Sequence, residues 1–170
     1  MNFKKYIRNV SDFPEKGIVF KDITPLLQDS RALAEAKEAL LQMLGDKKVN
    51  KVVGMESRGF FFAPMLAVDL NAGFVPVRKP GKLPFSTISE TYSLEYGKDM
   101  LEIHSDAISK GDKVLIHDDV LATGGTASAV CKLVERLGGE VVQCNFLLEL
   151  EFLKGREKLE GYPIASLMKF

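Results

Sequence analysis

The sequence predicts an α/β fold in which a central, mostly parallel twisted sheet is flanked by helices. Short apolar runs of the kind that form buried strands recur along the chain, and some of the stretches between them carry apolar residues at helical spacing. Glycine-containing turns lead from two of the strands into helices. Strands that alternate with helices form parallel sheets with right-handed crossovers. The predicted strands cover residues 51–53, 74–77, 100–103, 113–118 and 141–150.

The N-terminal half contains three predicted helices and one short extended piece. Residues 2–9 carry apolar side chains at helical spacing, which predicts a short amphipathic helix. Residues 18–20 are apolar and lie between chain-breaking residues, so we expect them to be extended. Ser30 is the predicted N-cap of a helix that Gly45 ends. A further helix is predicted after the turn ESRG and reaches Leu70.

The C-terminal half shows three further features. Residues 86–98 are rich in hydroxyl groups and alternate only partly, which predicts a mobile loop or ribbon. Residues 126–137 carry an apolar stripe and predict a helix, and the apolar tail at 162–170 predicts an edge strand. The length of 170 residues fits a single domain with a core of ordinary size.

Composition excludes several classes of protein. Lys plus Arg and Asp plus Glu each total 23, so a net charge near zero gives no general attraction to nucleic acid or membrane. Two cysteines, Cys131 and Cys144, and two histidines, His104 and His117, are too few for a disulfide framework or a structural zinc site. The sequence contains no run of about eighteen apolar residues, the length that a membrane-spanning helix requires. We therefore expect a cytoplasmic location.

The segment at 113–126 carries the most specific chemistry. An apolar strand ends in Asp118 and Asp119, and the loop TGGT at 123–126 then opens a helix. Backbone N–H groups of such a loop, threonine hydroxyls and the positive end of a helix together favour a bound phosphate group. Two carboxylates beside a phosphate must face hydroxyl donors or a cation. The loop lacks the lysine of nucleoside triphosphate loops and the spacing of dinucleotide loops.

Three of the predicted strands are followed by unusual polar loops. The turns are ESRG after residue 53, RKPGK after residue 77 and DDVLATGGT after residue 116. Ligands of open α/β sheets bind at the carboxyl ends of the strands. We therefore expect one site in which an acidic pair, a phosphate-binding loop and a group of cations lie together.

The strand, acidic pair and TGGT loop resemble the signature of the type I phosphoribosyltransferases, which bind 5-phosphoribosyl-1-pyrophosphate (PRPP). Five further segments resemble the members of this family that use adenine: DFPEKGIVFKDITPLL, ESRGF, VRKPGKLP, YSLEYGK and LKGREKL. The resemblance implies the type I phosphoribosyltransferase fold, with a small N-terminal hood at about 1–28 and a lid at about 86–98. It also implies that adenine and PRPP give AMP and pyrophosphate, with Mg²⁺ carried by PRPP.

The resemblance further implies a role for each loop. Residues that would hold the 5′-phosphate are Ala122, Thr123, Gly124, Gly125 and Thr126. Residues that would hold the pyrophosphate are Ser57, Arg58, Arg78, Lys79 and Lys82. Residues that would bind the base, with Phe20 and Val120 stacking on it, are Val19, Phe20, Lys21 and Val120. Catalytic residues would be Glu95, which approaches the base from the lid, and the ribose-binding Asp118 and Asp119, whose side chains we expect to face an open site.

Several alternatives stay open at this stage. The acceptor could be another purine, such as xanthine or hypoxanthine, and a PRPP-sensing regulator that binds DNA would share the fold. In the family, the peptide bond before Ser57 is commonly cis. The resemblance implies a homodimer in which Arg78 or Lys79 approaches the partner's site. Pro80 replaces a cation common among relatives, and His117 replaces an aliphatic residue. We interpret His117 as a hydrogen-bonded structural residue.

Overall fold

The computed structural model describes residues 1–93 and 98–170. Its α-helices are α1 (Thr24–Gln28), α2 (Ser30–Leu44), α3 (Ala63–Asp69) and α4 (Gly125–Arg136). Its strands are β1 (Arg8–Ser11), β2 (Val19–Asp22), β3 (Lys51–Met55), β4 (Gly73–Val77), β5 (Thr87–Ser93), β6 (Lys98–His104), β7 (Lys113–Leu121), β8 (Glu140–Glu149) and β9 (Ile164–Lys169).

A five-stranded sheet with the order β4-β3-β7-β8-β9 forms the centre of the molecule. Each of its neighbouring pairs is parallel, and β9 lies at one edge, as the C-terminal tail predicts. β7 is central and continues through Asp118 and Asp119 to Leu121, further than its apolar run alone indicates. The predicted fold class is confirmed.

Apolar side chains cover both faces of this sheet. β7 shows the alternation clearly, because Val114 and Ile116 pack in one buried cluster with Val130 of α4, whereas Leu115 packs in the other with Leu40 of α2. Alternate residues of a strand point to opposite faces, so a strand covered by helices on both sides is apolar throughout. The five side chains are completely buried.

The predicted helix over residues 2–9 was wrong beyond its first turn. Phe3–Tyr6 is a 3₁₀ turn, and the chain then enters β1, which pairs antiparallel with β2 from Arg8↔Asp22 to Ser11↔Val19. A strand partner distant in sequence decides the conformation here, and local spacing does not show that partner. The hood predicted for residues 1–28 therefore contains a small two-stranded sheet, and its separate role stays a prediction.

Two helix starts also differ from their predictions. Asp29 rather than Ser30 caps α2, because its carboxylate accepts the N–H of Ala32 at 2.8 Å. After the ESRG turn, Arg58–Phe61 is a 3₁₀ turn, and α3 begins only at Ala63 with Pro64 in its first turn. Proline fits the first turn of a helix because it has no N–H to leave unpaired there.

Residues 86–98, predicted to be a mobile loop or ribbon, form a β-ribbon in their described part. β5 pairs antiparallel with β6 from Thr87↔His104 to Ser93↔Lys98. Ser and Thr alternate with Ile88 and Tyr92, and these two side chains pack on the cluster beside α4. The alternation in the sequence was therefore a strand signal, although mobility of the segment stays a prediction.

Candidate active site

The three polar loops meet at one edge of the sheet, as expected. β3 lies between β4 and β7, and all three strands run in the same direction, so the loops after Met55, Val77 and Leu121 leave the same edge. Gly59 allows close packing there. A Cβ atom at Gly59 would lie 2.9 Å from the carbonyl oxygen of His117 and 3.1 Å from Oδ1 of Asp118.

The predicted phosphate-binding loop is held by backbone packing. Gly124 has φ +79° and is the N-cap of α4. A Cβ atom at Gly124 would lie 2.2 Å from the carbonyl oxygen of Gly155, and a Cβ atom at Gly155 would lie 2.2 Å from the carbonyl oxygen of Ala122. Both glycines are therefore required for the contact between the loop and the segment at 155.

Beside this loop lies a cavity of about 60 Å³. Its lining includes most of the predicted phosphate-binding residues, Val120 and one of the two acids: Asp118, Val120, Ala122, Thr123, Gly124 and Thr126. Gly125 borders a neighbouring cleft between β5 and α4 instead. The N-terminal end of α4, a helix of 12 residues, faces the loop and supplies unpaired N–H groups and a positive dipole end.

The acidic pair is less open than the sequence suggested. Asp118 is partly exposed and its Oδ1 accepts the backbone N–H of Asp119 at 2.9 Å. Asp119 is buried, and its Oδ2 lies 3.1 Å from Nε of Arg58. The expectation that both carboxylates face an open site was therefore wrong for Asp119. Although Asp118 as a whole is partly exposed, its carboxyl group is enclosed by protein, and this burial raises the pKa of Asp118; the neighbouring Asp119 adds to the rise. Burial also raises the pKa of Asp119, against the opposing effect of Arg58.

Arg58 connects the acidic pair to the hood. Its guanidinium carbon lies 4.9 Å from the centroid of the Phe20 ring, which also meets Phe13 edge to face at 5.1 Å. The ring of Phe20 and the carboxylate of Asp119 therefore hold the same cation. Spacing along the sequence gave no sign of this contact, because Phe20 and Arg58 belong to different elements.

The other predicted base-binding residues are divided between two regions. Val19 and Lys21 border a separate cavity of about 460 Å³ with Leu150, Phe152 and other apolar residues. The ammonium group of Lys21 donates to the side chain of Asn9 at 2.7 Å. Val120 borders the cavity beside the phosphate loop. Side chains of residues 19 and 21 point away from Phe20 because they alternate along β2.

Beside the residues predicted to bind pyrophosphate lies one that the sequence analysis missed. Glu56 accepts the backbone N–H of Lys79 at 2.9 Å, pairs with Nε of Arg78 at 3.3 Å, and binds the ammonium group of Lys82. Ser57 is exposed, and the peptide bond between Glu56 and Ser57 is cis, as the resemblance implied. The sequence did contain a signal for these contacts, because one turn carries a carboxylate and another carries several cations.

Lys79 points to a different carboxylate. Its ammonium group pairs with Asp99 at the start of β6, and Asp99 also accepts the hydroxyl of Tyr92 at 3.2 Å. The ion pair therefore connects the turn after β4 to the ribbon. Glu95 lies outside the described residues, so its predicted role cannot be placed on this geometry.

His117 is a buried structural residue, as interpreted from the sequence. Its Nδ1 lies 2.7 Å from Oδ1 of Asn145 and must carry the hydrogen, because an amide oxygen only accepts. The ring also meets Phe62 edge to face at 6.0 Å. Burial lowers the pKa of His117 to about 4, so the ring is neutral at physiological pH.

A family model described as the phosphoribosyl transferase domain matches residues 22–162, so the chain is a phosphoribosyltransferase. An adenine phosphoribosyltransferase of Christiangramia forsetii is 64% identical over 170 residues, which cover 100% of this chain and 99% of that protein. The chain belongs to the adenine phosphoribosyltransferase family. The predicted family and transferase class are confirmed.

Solved structures show the same relationship. The crystal structure of the adenine phosphoribosyltransferase from Thermoanaerobacter pseudethanolicus has a TM-score of 0.97 and 55% identity, covering 99% of this chain and 98% of that chain. The enzyme from Saccharomyces cerevisiae, complexed with D-2,5-dideoxy-2,5-imino-altritol 1,6-bisphosphate and adenine, has a TM-score of 0.92 and 43% identity. That match covers 97% of this chain and 96% of the yeast chain.

Two further findings concern membrane spans and metal-binding groups. Within residues 1–93 and 98–170, no helix has the length and apolar character needed to span a membrane. The same residues contain no group of three or more side chains arranged to hold a metal ion.

Proposed function

We propose that this enzyme transfers the 5-phosphoribosyl group of PRPP to adenine, giving AMP and pyrophosphate in purine salvage. The observation that carries the proposal is the meeting of three strand ends, which brings a phosphate-binding loop, a pair of acids and several cations to one edge of the sheet. Membership of the adenine phosphoribosyltransferase family supports adenine as the acceptor. The yeast relative was crystallised with adenine.

Charge control would be the main task of the site. Breaking the bond between ribose C1 and pyrophosphate leaves positive charge on the sugar and negative charge on the leaving group. Asp118, which borders the cavity at the phosphate loop, would face the ribose and favour its positive charge. Arg58, Lys82 and Arg78 would balance the pyrophosphate. The aromatic ring of Phe20, which Arg58 contacts in this structure, would stack on the base.

The 5′-phosphate would bind residues 122–126. Their N–H groups and hydroxyls lie in a loop whose shape is fixed by the contact with Gly155. Donors that are already in position stabilise an anion without reorganising during the reaction. The loop would therefore anchor the ribose while its C1 atom changes bonding partners.

We propose that Mg²⁺ enters as a complex with PRPP. Phosphate and hydroxyl oxygens are the ligands that Mg²⁺ prefers, and the ion commonly keeps several waters and few protein ligands. When bound, it would supply positive charge to the departing pyrophosphate. Asp118, which borders the cavity at the phosphate loop, would be the oxygen donor that the chain adds.

We propose that residues 86–98, which include β5, act as the lid. The ion pairs that join this segment to the rest of the chain include those of Glu90 with Lys132 and Arg136, and next to its end Asp99 pairs with Lys79. Ion pairs of this kind are weak enough to break during closure. Slower proteolysis within residues 86–98 when PRPP is added would support a lid, and unchanged cleavage would contradict it.

We also propose a homodimer in the cytoplasm. Large apolar side chains are exposed near the β4 edge of the sheet: Phe61, Val68, Phe74 and Phe85. An isologous interface would bury such a surface. Arg78 and Lys79 pair with carboxylates of their own chain here, and a role in the partner's site stays a proposal. A fully active monomer in sedimentation at micromolar concentration would contradict the dimer.

The test of the function is pyrophosphate release with PRPP, Mg²⁺ and each purine base in turn. We expect adenine to give the highest kcat/KM. Equal or higher activity with hypoxanthine, guanine or xanthine would overturn the proposed acceptor. DNA binding at moderate salt without transferase activity would favour the regulator instead.

A further inference from the structure

Glu56 is the centre of a charge cluster on the pyrophosphate side of the site. Its side chain is only 10% exposed, yet it contacts three groups of the turn after β4: the N–H of Lys79 and the charged ends of Arg78 and Lys82. Burial acts to raise the pKa of Glu56, but the hydrogen bonds from Lys82 and the Lys79 N–H bring the pKa below its ordinary value. The carboxylate is therefore ionised at neutral pH.

The backbone of this turn has a separate support. Arg78 and Glu102 exchange two backbone hydrogen bonds of 3.0 and 2.8 Å, and the carboxylate of Glu102 accepts the N–H of Gly81 at 3.1 Å. The turn is thus attached to β6 without the two cation contacts of Glu56. The side chains of Arg78 and Lys82 are 35% and 47% exposed, so their charged ends can move without unfolding the turn.

We propose that Glu56 is an internal competitor of pyrophosphate, which holds Arg78 and Lys82 in the free enzyme and exchanges them for the pyrophosphate group when it binds. This inference rests on the proposed function. A bound pyrophosphate must draw both cations away from a carboxylate that stays nearby and repels it. Glu56 would therefore weaken pyrophosphate binding and favour release of this product.

A purely structural role of Glu56 predicts the opposite change in pyrophosphate affinity. If Glu56 only braced the turn, removing its charge would misplace Arg78 and Lys82 and weaken the binding of pyrophosphate. If Glu56 competes for them, removing its charge strengthens that binding. The direction of the change in affinity therefore separates the two roles.

The experiment is calorimetric titration of inorganic pyrophosphate with Mg²⁺ into the wild type, Glu56→Gln and Glu102→Gln. We expect Glu56→Gln to lower the Kd by about 3- to 10-fold, the effect of losing two partly exposed ion pairs. The KM for PRPP should fall without a rise in kcat. Glu102→Gln, which keeps an acceptor for Gly81, should change the Kd by less than about twofold.

An unchanged or higher Kd for Glu56→Gln would overturn the inference. If that variant does not fold, Glu56→Asp, which withdraws the carboxylate by one methylene, decides in the same way: a lower Kd supports exchange and an equal or higher one contradicts it. Failure of the proposed function would look different, because the wild type itself would then bind neither pyrophosphate nor PRPP.

Discussion

The two proposed anion-binding sides of the site are built in different ways. Residues 122–126 are positioned by backbone packing, in which Gly124 and Gly155 approach so closely that neither position has room for a Cβ atom. Residues 78–82 include three cationic side chains, and their charged ends form ion pairs with Glu56 and Asp99. Arg58 belongs to the second type, since it pairs with Asp119.

This difference matches what each side must do in the proposed reaction. The 5′-phosphate stays attached to the ribose throughout, so its binding groups gain from being fixed in advance. The pyrophosphate leaves as product, so cations that can return to a carboxylate help it to depart. Fixed backbone donors and exchangeable side chains are therefore two solutions to two different tasks.

The largest effect is expected where the fixed side is disturbed. Gly155→Ala would place a Cβ atom 2.2 Å from the carbonyl oxygen of Ala122, so the phosphate loop must shift. A displacement of about 1 Å can cost about 100-fold in rate, and we expect a loss of kcat/KM for PRPP of that order. Steady-state kinetics with PRPP as the varied substrate would measure it.

Gly73→Ala is the matched control for this substitution. The atoms nearest to a Cβ at Gly73 belong to the flexible end of the Lys51 side chain, at the opposite end of the strands from the site. It should retain nearly full activity. Equal activity of Gly155→Ala and Gly73→Ala would contradict the fixed character of the loop.

Asp119→Asn should separate activity from stability. We expect a loss of about 1.5 to 3 kcal/mol in transition-state stabilisation, or about 10- to 100-fold in kcat/KM. The reason is that the hydrogen bond between a ribose hydroxyl and the charged carboxylate would be lost. Burial raises the pKa of Asp119, so ionising this carboxyl group costs more in the folded protein than in the unfolded chain. The free energy of unfolding should therefore stay equal or increase.

Urea unfolding at pH 7.5 would measure the stability of the same variant. A decrease of about 3 kcal/mol, the cost of breaking a buried ion pair, would show that Asp119 serves mainly to stabilise the fold. Unchanged kcat/KM would remove Asp119 from the site.

The smallest effect concerns His117, which lies behind the site. Its pKa is about 4 when folded, against about 6.5 when unfolded, so the unfolded chain binds the proton first as pH falls. This contribution to stability is complete above about pH 6.5 and is lost towards pH 4. Between pH 7.5 and 5.5 the wild type should lose about 1 kcal/mol more than His117→Gln. Equal pH dependence of the two proteins would contradict the burial of a neutral ring.

The sequence was sufficient for the features that local chemistry decides. The sheet is predicted by apolar strands such as those at 51–53 and 113–118. The parallel order of these strands places three polar loops, including the TGGT loop with its acids, at one edge. Features that depend on distant partners were missed. Arg8–Ser11 is a strand because it pairs with β2. Glu56 contacts several cations because the turn that carries them follows the neighbouring strand β4. Neither neighbour is visible in local spacing.

The central claim, one fixed side and one exchangeable side, is tested most directly by crystal structures of the enzyme alone and with AMP, Mg²⁺ and pyrophosphate. We predict that the backbone of residues 122–126 moves by less than about 1 Å while Arg58 leaves Asp119 and Lys82 leaves Glu56 for pyrophosphate oxygens. Cations that stay on these carboxylates in the complex, or a phosphate loop that rearranges, would contradict the account.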